Sequence, residues 1–335
     1  MMQGECNKEK EQRSGNTISK ADHHSTTLSI IIPVVNNASQ AAATIQALAA
    51  EAIPDPIEII LVDDGSDSPI QIDFEATENL KFIPVRLKKN QGRAGALNAG
   101  IDAASGLYMT FLDVDCMPTP SYVENLRHAI SIGAPIIFGD IQFDSGDSFF
   151  DRYGNRVQAR RRSRIDQWAI SLTSANVTIH RNLVLAINGF DPDYRHYGFE
   201  DRDFFLRLSH AFPDVLPVYD ASCSVRHVDP IHLEDILAKF ERSGCHTAGL
   251  FRTKHPDAYR EMPMYYFDAQ ANPVYRHIPD WLLVTVIQGL GTALRLLFIT
   301  GYKLGWHWVA APALKGLNGL AFMRGTLSAN RDMKV

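Results

Sequence analysis

Residues 111–117 read FLDVDCM, so Asp113 and Asp115 end an apolar run as two carboxylates one residue apart. Alternate residues of a strand point to the same side, and like charges held that way repel unless a cation lies between them. Mg2+ and Mn2+ take oxygen ligands and keep positions open for phosphate oxygens. The pair therefore reads as the protein's half of a metal–diphosphate site, or as two solvated loop acids. LVDDGSDS (61–68) sets Asp63 and Asp64 behind a second apolar run. A carboxylate there can accept the imide N–H of uracil or hold a ribose hydroxyl, and Asp-Gly is also a turn signal in its own right. In NQGRAGALNAG (90–100), Arg93 stands among glycines at a helix start, either as a partner for phosphate or base or as an ordinary surface arginine. The stretch is neither G-x-G-x-x-G nor a P-loop, which weakens dehydrogenase and ATPase readings.

Further along, YGFEDRDFFLRL (197–208) opens a predicted helix with Glu200, Asp201 and Asp203, where acids suit the positive end of the dipole. Upstream lies Asn176, in SLTSANVTIH, as a hydroxyl-binding or turn residue. Downstream lies His227, in SVRHVDP, and a lone histidine is more often structural than a ligand.

These residues need a scaffold, and the apolar runs supply one. LSIIIPVV (28–35), IEIILV (57–62), FIPVRL (82–87), LYMTFL (107–112) and APIIFGDIQF (134–143) read as strands. Helical stretches at 38–52 and 93–105 fall between them. Fully apolar strands separated by helices predict a parallel sheet covered on both faces, with its loops and ligands along one edge. The acidic turns fall on that edge. A strand near 215–220 and a helix over 233–255 complete the second half.

Composition sets the limits. The chain has 335 residues, 45% hydrophobic and 21% charged, with a formal net charge of -5, which gives no support to nucleic-acid binding. Four scattered cysteines without a C-x-x-C pair suggest a reducing, cytoplasmic compartment. Residues 1–26 read as a disordered polar leader without a signal-peptide core. The arginine run at 160–164 reads as a solvated helix face or as a contact to anionic lipid or a phosphate-bearing acceptor. WLLVTVIQGLGTALRLLFIT (281–300) is nearly long enough to span a bilayer, with Trp281, Trp306 and Trp308 placed like interfacial anchors. The region 281–323 reads equally as core-covering helices or as an in-plane membrane anchor at the inner face of the plasma membrane.

SIIIPVVNN, EIILVDDGSDS, NQGRAGALNAGI and FLDVDCMP, in this order, resemble the nucleotide-binding half of glycosyltransferase family 2. SANVTIHRNLVLAINGFDPDY followed by YGFEDRDFFLRL resembles the acceptor half of its galactosyltransferase-related and chondroitin-polymerase-like members. The resemblance implies a GT-A fold, which is a Rossmann-like, mostly parallel sheet flanked by helices, here with a C-terminal helical extension. It implies a nucleotide-sugar half at 27–118, an acceptor and catalytic half at 119–260, and the apolar extension at 278–325. Pro33, Val35, Asn37, Asp63, Asp64, Arg93 and Asp113 would line the nucleotide pocket. Asp113, Asp115 and His227 would hold Mn2+ or Mg2+. Asp201 would be the catalytic base beside Glu200, with Asn176, Phe199 and Asp203 toward the acceptor. Two departures are visible: VVNN replaces an aromatic-Asn pair, and Phe199 stands where relatives often carry Trp.

The expected activity is a metal-dependent, inverting transfer of a hexose or N-acetylhexosamine from a UDP-sugar to a hydroxyl of a glycan or lipid-linked acceptor. A catalytically silent nucleotide-sugar-binding scaffold of the same fold is the alternative. A nucleotidylyltransferase is disfavoured, because the first strand leads into IPVVNN rather than a glycine-rich G-x-G-T-R-L type loop.

Overall fold

The computed structural model describes residues 28–51, 55–74 and 77–332; the leader 1–26 lies outside the described residues. Its strands are β1 (Leu28–Val34), β2 (Ile57–Asp63), β3 (Leu80–Arg86), β4 (Tyr108–Leu112), β5 (Cys116–Pro118), β6 (Ile136–Phe143), β7 (Asn176–His180) and β8 (Val218–His227). They form one sheet in the order β3-β2-β1-β4-β7-β6-β8-β5. Its helices are α1 (Ala38–Ala49), α2 (Gly92–Ala103), α3 (Tyr122–Ser131), α4 (Ser148–Arg162), α5 (Trp168–Ser171), α6 (Arg181–Ala186), α7 (Glu200–Ala211), α8 (Leu233–Arg242), α9 (Ala248–Lys254), α10 (Pro256–Glu261), α11 (Asp280–Lys303) and α12 (His307–Asp332).

The apolar runs become strands because both faces of the sheet are covered. In β1, Ile30 and Ile32 pack into a core with Ile45 of α1 and Leu126 of α3. Ile31, pointing the other way, joins Leu97 of α2 and Phe204 of α7. Burying an isoleucine fully contributes roughly 1.5–3 kcal/mol, so these two cores carry the sheet. Pro84 sits in edge strand β3, where a missing N–H is tolerated.

Strand direction divides the sheet. β3, β2, β1 and β4 run parallel. β7 then runs antiparallel to β4, with Leu112 paired to Asn176. Apolar strands reveal burial but not direction, so the sequence reading missed this reversal. Its effect is to start β7 where β4 ends. A second antiparallel pair sets Cys116 of β5 opposite His227 of β8. The predicted helix 233–255 is also divided, because a π-helical turn at Ser243–Thr247 separates α8 from α9. There Gly244 lies so close to α12 that a Cβ would come within 2.4 Å of the Phe322 carbonyl oxygen.

Candidate active site

The carboxyl ends of β1 and β2 are stitched into one edge. Asn36, at φ 53°, accepts from the Asp67 amide, and its own amide donates to Ser66 Oγ. Pro33 and Asn37 are half-buried beside this turn, and Val35 is exposed. Asp63 is committed to the loop itself: its carboxylate accepts from the Ser66 amide (2.8 Å), the Ile70 amide (3.3 Å) and Arg86 (2.5 Å). Burial would raise its pKa, but those donors hold it below the usual carboxylate range. The expectation that Asp63 meets the nucleotide is therefore corrected; its oxygens build the turn. Asp64 accepts the Gln91 amide at 2.7 Å through Oδ1, and burial pushes its carboxyl up. Gly65, at φ 68°, allows this approach, since a Cβ would lie 2.5 Å from the Lys89–Asn90 backbone.

Arg93 reaches across the cleft from the first turn of α2. Its guanidinium donates to Asp113 Oδ1 at 2.5 Å, Asp201 Oδ1 at 2.9 Å and Ser174 Oγ at 2.7 Å. The antiparallel β4–β7 pairing brings these groups together, as the Asp113 amide donates to the Ala175 carbonyl at 3.0 Å. Ser174, fully buried, donates its hydroxyl to Asp201 Oδ1. Burial works against a charged Arg93, but Asp113, Asp201 and Glu200 more than offset it and hold the guanidinium protonated. Burial and the charges of Asp115 and Asp201 push the Asp113 carboxyl up against the pull of Arg93.

Asp115 and His227 form the adjoining pair. His227 Nε2 lies 3.2 Å from Asp115 Oδ2, and the ring stacks on Phe143 at 4.9 Å. Burial disfavours both charged forms, yet their contact dominates, lowering the Asp115 pKa and raising that of His227. Asp115 Oδ1 and His227 Nδ1 are buried without a hydrogen-bond partner among the described residues. No three His, Cys, Asp or Glu side chains among the described residues form a ready cation cage. The donor chemistry fits a divalent cation nonetheless. Two carboxylates, one with an orphaned oxygen, and an imidazole leave positions that diphosphate oxygens can fill.

The acidic pair is presented by a strained turn. Gly198 has φ 110° and Phe199 φ 67°, a left-handed conformation that costs a non-glycine residue about 1–3 kcal/mol. Packing holds it, with Phe199 buried and stacked on Phe251 at 4.8 Å, and Phe322 at 6.3 Å. Phe199 thus turns into the core and offers no face to an acceptor, contrary to expectation. Glu200 follows, accepting the Gly198 amide at 2.8 Å; burial, then the Asp201 charge, pushes its carboxyl up to about 7. Among the described residues both hydrogen bonds to Asp201, from Arg93 and Ser174, fall on Oδ1, which leaves Oδ2 without one.

Two further acceptor assignments are corrected. Asp203 is buried and bound by Arg207 (2.8 Å) and His255 (2.9 Å), so it clamps α7 to the α9–α10 corner. Asn176 spends both amide hydrogens on the Asp140 and Cys223 carbonyls, at 3.0 Å each, and accepts from Tyr122. It brackets β7 to its neighbours. Ser174 escaped the sequence reading, although it lies two residues before Asn176 in the same S-A-N turn.

A mixed sheet with acidic groups along one edge and a helix aimed at them defines the GT-A fold. Residues 29–185 match the family described as glycosyl transferase family 2, and 157–218 match the N-terminal domain of galactosyltransferase. Over residues 29–185 the sequence is thus similar to glycosyltransferase family 2. It is similar to the poly-beta-1,6-N-acetyl-D-glucosamine synthase of Staphylococcus aureus, 31% identical over 147 residues, or 41% of this chain and 35% of the synthase. It is also similar to glycosyltransferase AglE of Haloferax volcanii, 26% identical over 169 residues, 49% of this chain and 55% of AglE. The matched region thus spans about a third to a half of these relatives. Among solved structures, a mannosyltransferase from Pyrobaculum calidifontis in complex with GDP-Man and Mn2+ superposes with a TM-score of 0.53 at 16% identity. That likeness covers 95% of this chain and 92% of the other. S. aureus TarS 1–349 gives 0.51 at 12% identity, covering 92% of each chain.

Proposed function

We propose that this chain moves a sugar from a UDP-sugar to a hydroxyl of a glycan or lipid-linked acceptor, with Mn2+ or Mg2+ bound and inversion at the anomeric carbon. The observation that carries the reading is the Arg93 guanidinium, which joins Asp113 of the D-x-D to Asp201 through a single side chain. One residue thereby ties the diphosphate end of the site to the base.

Asp113, Asp115 and His227 would hold the cation, which when bound stabilises negative charge on a leaving diphosphate as a Lewis acid. Pro33, Val35, Asn37 and Asp64 line the nucleotide side. Asp201 accepts the proton of the acceptor hydroxyl. Arg93 and Ser174 pin its Oδ1, so the carboxylate is oriented before substrate arrives. Glu200, with a carboxyl near neutrality, is suited to hold a sugar hydroxyl. The P. calidifontis neighbour, whose complex contains a nucleotide sugar and Mn2+, supports the metal–diphosphate half of this reading.

The test is release of nucleotide diphosphate from a panel of UDP-sugars, with GDP-mannose included, under Mn2+, Mg2+ or EDTA. Metal-dependent hydrolysis of one UDP-sugar is the expected result. Preference for GDP-mannose would overturn the uridine assignment. Silence together with no rise in Tm on adding UDP and Mn2+ would favour the scaffold.

A further inference from the structure

Helix α11 has an outer face that the fold leaves uncovered. It is long and apolar enough to cross a membrane, yet only 17% of its most apolar window is buried. A soluble core helix of this composition would be mostly covered. Leu283, Ile287, Phe298 and Gly301 do face inward. Around the rest of the helix Trp281, Val286, Leu290 and Leu296 are exposed, Leu296 at 62%. The turn into α12 continues the patch, with Trp306 and Trp308 stacked at 6.4 Å and Trp308 76% exposed. An exposed apolar surface this extensive marks an interaction site.

Two observations identify what covers it. The first is charge. Phe149 of α4 packs on Phe298, Tyr302 and His307, with centroids 5.4–5.8 Å apart, which anchors α4 beside the tryptophan turn. From there Arg152, Arg156 and Arg160 follow at one-turn spacing and are all exposed. Arg152 and Arg156 lie within electrostatic reach of His307. The acidic groups nearby are engaged or peripheral. Asp147 caps α4 and accepts from Tyr302, Glu234 is paired with Arg295, and Asp280 lies at the far end of α11. Within α11 itself, between Asp280 and Lys303, Arg295 is the sole charged side chain. Aromatic residues at the ends of an apolar stretch with a basic flank match a bilayer surface carrying anionic headgroups.

The second observation is attachment. α11 is packed lengthwise on α12: a Cβ at Gly301 would lie 2.9 Å from the Ala310 nitrogen, and one at Gly316 lies 2.8 Å from Leu294. α12 in turn packs through Phe322 on Phe199, beside the acidic pair. A helix fixed along its inner side can lie in the interface but cannot stand across a bilayer without leaving the fold.

We propose that the outer face of α11, with the Trp306–Trp308 turn and the α4 arginine row, docks flat on a bilayer surface carrying anionic headgroups. This inference is independent of the transfer chemistry. The test is co-sedimentation of the full chain with phosphatidylcholine vesicles and with vesicles of equal parts phosphatidylcholine and phosphatidylglycerol. Binding to the mixed vesicles is expected to exceed binding to phosphatidylcholine about tenfold or more. Arg152→Glu with Arg156→Glu should remove that preference, at roughly fivefold or more for each arginine lost. Leu290→Asp with Leu296→Asp, both at exposed sites, should abolish sedimentation while circular dichroism stays unchanged. Failure to bind either vesicle, or binding indifferent to both pairs of substitutions, overturns the proposal. So does a concentration-dependent dimer that Leu290→Asp with Leu296→Asp dissociates, which would make the face a self-interface. Resistance of the vesicle-bound chain to alkaline carbonate would overturn the in-plane geometry.

Discussion

The guanidinium of Arg93 donates to Asp113 at 2.5 Å and to Asp201 at 2.9 Å, joining residues 20 and 108 positions away in sequence. It does so from 18% side-chain exposure, where a forked, permanently charged group is worth more than a flexible one. The site is therefore organised about a cation that the protein itself supplies, with Asp115 and His227 to one side and Glu200 to the other.

Replacing that fork with a point charge is the first prediction. Arg93→Lys cannot serve Asp113, Asp201 and Ser174 together, so kcat should fall by about 10²-fold or more while the chain remains folded. Steady-state kinetics with a melting curve on the same preparation checks this. A lysine variant with wild-type turnover would show that the Arg93 contacts do not position the base.

The second prediction concerns Glu200. Its carboxyl lies near 7, raised from 4.5 by burial and then by Asp201. The folded state therefore holds a proton that the unfolded chain releases across this window, and stability falls as pH rises through it. Glu200→Gln keeps an acceptor for the Gly198 amide and removes the titration. Its Tm relative to the wild type should rise with pH between those limits. A difference that stays flat across the window would place the Glu200 carboxyl in the ordinary range.

Asn176 tests the structural correction. Asn176→Ala strands the Tyr122 hydroxyl and two buried carbonyls, each costing about 1–3 kcal/mol. Urea unfolding should show the loss, while the KM for acceptor of the folded fraction stays unchanged. A raised acceptor KM with unaltered stability would return Asn176 to the acceptor site.

How far the sequence could be read depends on the range of the contacts involved. Asp113, Asp115, Glu200 and Asp201 stood out because local pattern marks them: acids directly after an apolar strand or at a helix start. The parallel half of the sheet was legible for the same reason. Ser174 was not, because its partners lie 81 and 27 residues away and nothing local distinguishes it from a turn serine. Asn176 and Phe199 were assigned outward because their residue types suit sugars. Only the antiparallel β4–β7 pairing and the left-handed backbone at Phe199 show that both side chains turn inward. Asp203 was misread through proximity to the acidic pair, since the arginine and histidine that claim it lie one turn along α7 and across in the α9–α10 corner.

The most direct test of the sugar-transfer account compares wild type with Asp201→Asn in two assays: binding of UDP with Mn2+ by calorimetry, and turnover of the UDP-sugar that the panel identifies. The account predicts equal binding and a loss of turnover of about 10²–10⁴-fold, since the substitution removes the base but leaves the diphosphate site intact. Turnover by Asp201→Asn close to that of the wild type, at equal binding, would contradict it.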